Sequence, residues 1–244
     1  MSHRRQTDAG RKRRYWRGAA GACGSSGSVA TPLADAYNQA RRRADPADDV
    51  VSRLAVAVDR GEITPLEMVV NAAFLFETGR HSTAHFLGTA VLSLLSHPDQ
   101  LERLRRHPDL IPSAVEELLR YDPPSVTVGR ASLRSFDIGD IRIQAGDQVM
   151  PLLGAANRDP GQFPDPDRLD LTRRQGAHLA FGAGSHYCTG APLGRLEAAA
   201  TIGGLVRRLP GLRAASEPPI WRSHPAIRIL DSLPIVWGTP PQRA

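Results

Sequence analysis

Apolar residues recur at helical spacing through most of the first half of the chain and again from Gly190 to Leu205. Residues 33 to 59 predict two short helices broken near Asp45-Pro46, since a residue before proline disfavours helical backbone. A start signal follows: Thr64 as N-cap, Pro65 at the first helical position and Glu67 three residues after Thr64 form a capping box. No breaker appears until His97-Pro98, so the helix is expected to reach about Ser96, the longest in the chain. Val69, Val70, Ala72, Ala73, Phe74, Leu75 and Phe76 make one apolar half, and Phe86, Leu87, Ala90, Val91, Leu92, Leu94 and Leu95 the other. A helix apolar nearly all round is expected to run through a core. Between the halves, Glu77 to Thr83 (ETGRHST) forms a polar notch in which Gly79 lets something lie against the backbone. Glu77, Arg80 and His81 would sit near a bilayer centre, which argues against a membrane span.

Two further helices each carry proline in the first turn, Pro98 to about Arg106 and Pro112 to about Tyr121, the second stopped by Asp122-Pro123-Pro124. The pattern then changes to short strands, VTVGRASL and SFDIGDIRIQAGDQVMPLL, with Gly139-Asp140 as a hairpin turn. Residues 154 to 176 are rich in proline and aspartate and predict a long ordered loop, a feature commonly tied to function. The loop leads into HLAFGAGSHYCTGAPLGRLEAAATIGGLV, where Leu193, Leu196, Ala200, Ile202 and Leu205 mark a last amphipathic helix. The expected class is therefore mainly α with small β-sheets, an α+β arrangement.

Composition adds boundaries. With 41% hydrophobic and 23% charged residues over 244 positions, the chain has enough apolar material for a sizeable core, and disorder and fibre are excluded. Cys23 and Cys188 are too few for a disulfide framework, and no Cys-x-x-Cys or Cys/His cluster offers a zinc site, so a cytoplasmic location is expected. The net charge of +6 lies wholly in residues 1–17, which hold six Arg, one Lys and one Asp; the remaining 24 basic and 24 acidic residues cancel. The body thus shows no general pull toward membrane or nucleic acid. Residues 1–32, basic and then Gly/Ser/Ala-rich without an apolar signal segment, are expected to be a disordered tail, with one domain from 33 to 244. Tyr15 and Trp16 among arginines also fit a nucleic-acid arm, but nothing downstream reads as a nucleic-acid domain.

Two residue groups carry candidate chemistry. Cys188 stands just before a predicted helix, where the positive end of the dipole and free backbone N–H groups favour thiolate. Glu117 and Arg120, three apart, share one helix face; such pairs are usually surface ion pairs worth little.

Taken together, FGAGSHYCTG, the Glu117-x-x-Arg120 pair, the PP-S-V-T-V run ending at Arg130, the meander and the terminal WRSHPAIRILDSLPIVW resemble the cytochrome P450 family, the heme-thiolate monooxygenases, from roughly Asp48 to Trp237. The resemblance implies the heme-binding, C-terminal half of that fold, with heme b (iron protoporphyrin IX) as cofactor and Cys188 as the proximal iron ligand. It implies Phe181 packed near the cysteine, backbone roles for Gly182, Gly184 and Gly190, and His186 and Arg130 as donors to the heme propionates. It casts Glu117 and Arg120 as a buried structural pair completed by Arg168 from the meander, and His81, Ser82 and Thr83 as the catalytic oxygen site in the helix notch. It also implies a ferredoxin-type electron donor and a small hydrophobic substrate oxidised by one atom of O2, with neither membrane nor nucleic acid as partner.

Three departures accompany the resemblance. The family's acid-alcohol pair is here His81-Ser82, so proton delivery would pass to a histidine, which can relay protons, and a serine hydroxyl. Thr189 replaces the leucine common after the ligand, placing a hydroxyl beside the sulfur. About half of a typical member lacks a counterpart, and the expectation is a shortened monooxygenase chain. The alternative is a noncatalytic fragment that binds and stabilises a partner enzyme.

Overall fold

The computed structural model describes residues 12–17, 48–174 and 176–238. They fall into two compact units, one within residues 19–82 and one comprising the N-terminal strand and everything from Thr83 onward.

In the first unit, α1 (Val50–Asp59) is capped by Asp49, whose carboxylate accepts a 2.7 Å hydrogen bond from the Ser52 N–H. The helix α2 (Pro65–Ser96) opens on the expected capping box. The Thr64 N–H and hydroxyl donate to Glu67 Oε2 at 2.7 and 2.8 Å, and the Glu67 N–H donates back to Thr64 Oγ1 at 3.2 Å. Met68 and Ala55 are buried among Val51, Leu54, Val58 and Ile63. The expectation that α2 runs through a core is corrected in this half: Val70, Phe74 and Phe76 are exposed, at 62% for Phe74. A ten-residue helix such as α1 covers only one stripe of a helix that is apolar on several.

In the second unit the C-terminal half of α2 behaves as expected. Phe86, Ala90 and Leu94 are buried against Leu101 and Leu104 of α3 (Pro98–Arg106), Val115 and Leu118 of α4 (Ile111–Tyr121), and Ala198, Ile202 and Val206 of α6 (Ala191–Arg208). Leu169 and Leu171, from the long loop, complete this core. That loop opens with one short helix, α5 (Leu153–Ala156), which breaker-rich composition does not announce.

The strands are small. A sheet is built on β8 (Ile229–Trp237), which pairs antiparallel with β1 (Lys12–Arg17), β6 (Arg213–Ala214) and β7 (Ile220–Arg222). Six residues of the expected disordered tail are therefore strand, because β8 offers them a free edge; the rest of 1–32 lies outside the described residues, as does the first of the two helices expected before Asp59. Two ribbons, β2 (Arg130–Ala131) with β5 (Gln148–Val149) and β3 (Phe136–Ile138) with β4 (Ile141–Ile143), make up the remainder. Gly139 turns the second at φ 56°, a conformation that favours glycine.

Candidate functional site

Helix α4 places two consecutive carboxylates where two different loops meet it. Glu117 and Arg120 are 3% and 2% exposed. Arg120 Nε donates to Glu117 Oε2 at 2.7 Å and Arg120 Nη2 to Oε1 at 2.9 Å, a bidentate pair that survives burial because the remaining guanidinium N–H groups find carbonyls and Oε1 accepts further donors. Arg120 Nη1 donates to the carbonyls of Asn157 (2.8 Å) and Pro166 (2.9 Å), and Nη2 reaches the carbonyl of Arg168 at 3.4 Å.

The third side chain of this network is Arg173. Its Nε donates to Glu117 Oε1 at 3.1 Å, and its other nitrogens donate to the carbonyls of Pro164, Asp165 and Arg168. This corrects the expectation for Arg168, whose side chain is exposed and whose contribution is its backbone carbonyl. The meander's direction decides the matter. It wraps around the guanidinium with carbonyls pointing inward, through a left-handed turn at Asp165 (φ 49°), and presents position 173 to the buried carboxylate.

Asn157, fully buried at the end of α5, connects this network to the cysteine loop. Its Oδ1 accepts from the Leu179 N–H at 2.7 Å. Leu179 in turn accepts from the Gly182 N–H at 2.9 Å, and the Cys188 N–H donates to the Phe181 carbonyl at 2.9 Å. The loop closes through a 3-10 turn, Gly184–His186, and the Ala191 N–H donates to the Cys188 carbonyl at 3.2 Å where α6 begins. Cys188 is a free, exposed thiol two residues before the Gly190 N-cap. Gly182 (φ 72°) and Gly184 (φ 65°) need glycine's backbone freedom. Gly190 does not, since its φ of −81° is open to any residue; a Cβ there would stand 3.7 Å from Cys188 Sγ, so what this glycine gives is space over the sulfur.

The second carboxylate, Glu116, faces this loop. Arg195 of α6 binds it bidentately, Nε to Oε1 at 2.7 Å and Nη2 to Oε2 at 3.0 Å, and His178 Nε2 lies 3.2 Å from Oε2. Partial burial pushes the Glu116 carboxyl up, but His178 beside it and the hydrogen bonds and charge of Arg195 outweigh it and hold it at about 2. Phe181 lies beneath Arg195, with Cζ 4.6 Å from the ring centroid.

The remaining expected residues occupy other places. Arg130 is exposed in β2, its Nη1 donating to the Gly129 carbonyl at 2.8 Å, and the run before it is held by the Val126 N–H donating to Ala226 and the Thr127 hydroxyl donating to Pro151. His186 is exposed in the 3-10 turn and Thr189 is exposed after the cysteine. His81, Ser82 and Thr83 sit in mid-α2, where His81 Nδ1 is 3.1 Å from Glu77 Oε2, Arg80 Nη2 meets His81 Nε2 at 2.9 Å, and the Ser82 hydroxyl donates to the Thr78 carbonyl at 2.7 Å.

Among the described residues no three or more His, Cys, Asp and Glu side chains gather around a point fit for a bare metal ion. A single soft thiol suits an iron whose other ligands come from a macrocycle, and the exposure of Cys188, with a glycine and not a side chain beside its sulfur, fits such a group. The geometry thus defines an exposed thiol at the start of a helix, on a loop tied to a buried helical scaffold.

The chain belongs to the cytochrome P450 family: the family model "Cytochrome P450" matches residues 33–212. Cytochrome P450 107B1 of Saccharopolyspora erythraea is 42% identical over 200 residues, 80% of this chain and 49% of that protein. The biotin biosynthesis cytochrome P450 of Bacillus subtilis is 40% identical over 199 residues, 81% of this chain and 50% of its own length. The solved structure of the tirandamycin C-bound P450 monooxygenase TamI superposes with a TM-score of 0.82 at 41% identity, covering 87% of this chain and 54% of that one. The chain spans about half the length of the curated relatives it matches. Family members bind heme b.

Proposed function

We propose that this chain is the cysteine-bearing half of a heme-thiolate monooxygenase that inserts one atom of O2 into a small hydrophobic metabolite. The observation that carries the reading is the exposed Cys188 thiol at the start of α6, on a loop tied to the buried Glu117–Arg120–Arg173 network through Asn157. Heme b, when bound, supplies the redox-active iron at which O2 is reduced and split.

This chain's own residues supply the setting. Cys188, exposed at the start of α6, would hold the heme iron through its sulfur. Gly190 leaves the sulfur uncovered, and Gly182 and Gly184 let the loop turn tightly enough to present it. Arg130 and His186, both exposed, are the donors that would meet the propionates. On α2, His81, Ser82 and Thr83 form the site of proton handling, with Phe74 and Phe76 supplying exposed apolar surface nearby on the same helix. That surface, and the tirandamycin C in the TamI structure, support a hydrophobic small-molecule substrate. The electron donor in this reading is ferredoxin-type and the location cytoplasmic. No helix among the described residues is long and apolar enough to cross a membrane.

The test is spectroscopic. Hemin is titrated into the purified chain, which is then reduced under carbon monoxide. The wild type should give the red-shifted Soret band of thiolate ligation, and Cys188→Ala should not. A thiolate-type band in the alanine variant would overturn the assignment.

A further inference from the structure

Glu116 does more than pair with one arginine. Its carboxylate joins three separate stretches of chain: its own helix α4, His178 at the entry to the cysteine loop, and Arg195 on α6. His178 is 7% exposed at its side chain, so its contact with Glu116 is made inside the protein. Arg195 then extends the grip to both sides of the loop. Its Nη1 donates to the Tyr187 hydroxyl at 3.1 Å, and its guanidinium lies over the Phe181 ring. Phe181 and Tyr187 meet edge to face at 6.3 Å, and His178 tilts against Phe181 at 6.1 Å.

These two residues are tied to the cysteine, one along the chain and one by a backbone hydrogen bond. Tyr187 is the residue before Cys188, and the Phe181 carbonyl accepts the Cys188 N–H. A shift of Arg195 by the length of one hydrogen bond would therefore move both neighbours of the sulfur.

Magnitude separates geometry from stability here. The Glu116 side chain is 43% exposed and that of Arg195 35%, so solvent screens the pair and its net contribution to folding is small. A bidentate carboxylate–guanidinium contact nevertheless fixes distance and plane together. The neighbouring Glu117 is the opposite case, buried and essential to packing.

We propose that Glu116 is a positioning residue of the cysteine loop: by holding His178 and Arg195 it sets Phe181 and Tyr187, and through them the orientation in which Cys188 is presented. The spectroscopic part of its test rests on the reading of Cys188 as heme ligand; the remainder does not.

The chain is prepared with Cys23→Ser so that Cys188 is the sole thiol. Wild-type, Glu116→Gln, Glu116→Ala, Glu116→Asp, Arg195→Ala and the Glu116→Ala/Arg195→Ala double variant are compared, with Glu102→Ala on α3 as an exposed-carboxylate control. Two readouts use the chain without heme: amide hydrogen exchange over residues 178–190 and the rate at which iodoacetamide alkylates Cys188. Loss of a charge-assisted hydrogen bond should speed both by about tenfold in Glu116→Gln and Glu116→Ala, with melting temperatures near wild type. Glu116→Asp should recover part of the loss. The double variant should fall short of the sum of the two single effects, since Glu116 and Arg195 act through one contact, and should exceed Arg195→Ala only by what the His178 contact adds.

With heme bound, the same variants should broaden the thiolate Soret band and displace the iron reduction potential. Unchanged exchange and alkylation in both Glu116→Gln and Glu116→Ala would overturn the proposal. Equal effects in Glu102→Ala would also overturn it. Should Glu116→Ala fail to fold, Glu116→Gln decides by the same two readouts. A wild type lacking the thiolate band would sink the ligand assignment of Cys188 and leave the heme-free readouts to judge Glu116.

Discussion

Arg173 places its Nε 3.1 Å from Glu117 Oε1 with its side chain 8% exposed, whereas Arg168, five residues earlier, meets the same network only through its backbone carbonyl. The two arginines should respond very differently to truncation. Arg173→Ala leaves a buried carboxylate with one cation fewer and takes the side-chain donor from the Pro164 carbonyl, a loss on the order of 3–5 kcal/mol. Arg168→Ala removes an exposed side chain and should cost about 0–1 kcal/mol. Urea unfolding of the two variants measures the contrast. Equal midpoints would mean that the meander re-pairs with either residue.

Why sequence reading selected the wrong arginine, while placing α3 and α4 to within a residue, follows from what each depends on. Thr64, Pro65 and Glu67 are local signals whose geometry is complete within four residues, and so are the prolines that open α3 and α4. The partner of Glu117 is chosen by how a loop without periodicity wraps, which no spacing rule encodes. Glu116 gave no separate signal beside Glu117, and His178 and Arg195 acquire meaning only when α4, α6 and the loop are brought together. Asn157 was hidden in the same way, in a polar stretch where one more asparagine draws no notice. The cysteine loop was legible because its glycines, its cysteine and the following helix are contiguous. The exposed first half of α2 was not, since periodicity reports how apolar a face is and not whether anything covers it.

Asn157 should couple the buried network to the loop. Asn157→Ala removes the acceptor of the Leu179 N–H and leaves a half-buried donor unpaired, at about 1 kcal/mol. The Leu179 amide should show the largest gain in hydrogen exchange, ahead of amides in α6. If exchange rises equally throughout, Asn157 serves general stability and not the loop.

Acid should loosen the Glu116 contacts in a defined window. The carboxyl is held at about 2 in the folded chain against an ordinary 4.5, so the folded state binds fewer protons than the unfolded one between those values. This contribution is fully present above about pH 4.5 and is lost as pH falls toward 2. Unfolding midpoints followed from pH 6 to 2.5 should fall less steeply in Glu116→Gln than in wild type. Parallel curves would show that the carboxylate is not held by His178 and Arg195 in solution.

Gly182 and Gly190 should part company. A side chain at Gly182 is strained by its φ of 72° and meets the His186 carbonyl at 3.4 Å, so Gly182→Ala should cost about 1–2 kcal/mol. Gly190→Ala meets no strain, but its methyl stands over Cys188 Sγ, and it should slow alkylation of the thiol while leaving the unfolding midpoint within about 0.5 kcal/mol of wild type. Alkylation at the wild-type rate would show that the sulfur is approached from another side.

His81 stands where the resembled family carries a carboxylate, and its two neighbours decide which proton it holds. Arg80 is only a donor, so His81 Nε2, 2.9 Å from Arg80 Nη2, must accept. The ring proton therefore sits on Nδ1 and points to Glu77 Oε2 at 3.1 Å. The adjoining Ser82 hydroxyl gives its own hydrogen to the Thr78 carbonyl, leaving its oxygen as an acceptor. The helix thus turns the Nδ1–H edge of His81 to Glu77 beside a serine oxygen that can still accept a hydrogen bond. Nitrogen chemical shifts of the His81 ring at pH 8 should report the Nδ1–H form. Arg80→Ala frees Nε2, and Glu77→Gln weakens the pull on Nδ1–H; each should move the ring toward the Nε2–H form common in solution. A wild-type ring already in that form would mean that Arg80 does not donate to it, and the acid's place on α2 would then pass to Thr83 or to water.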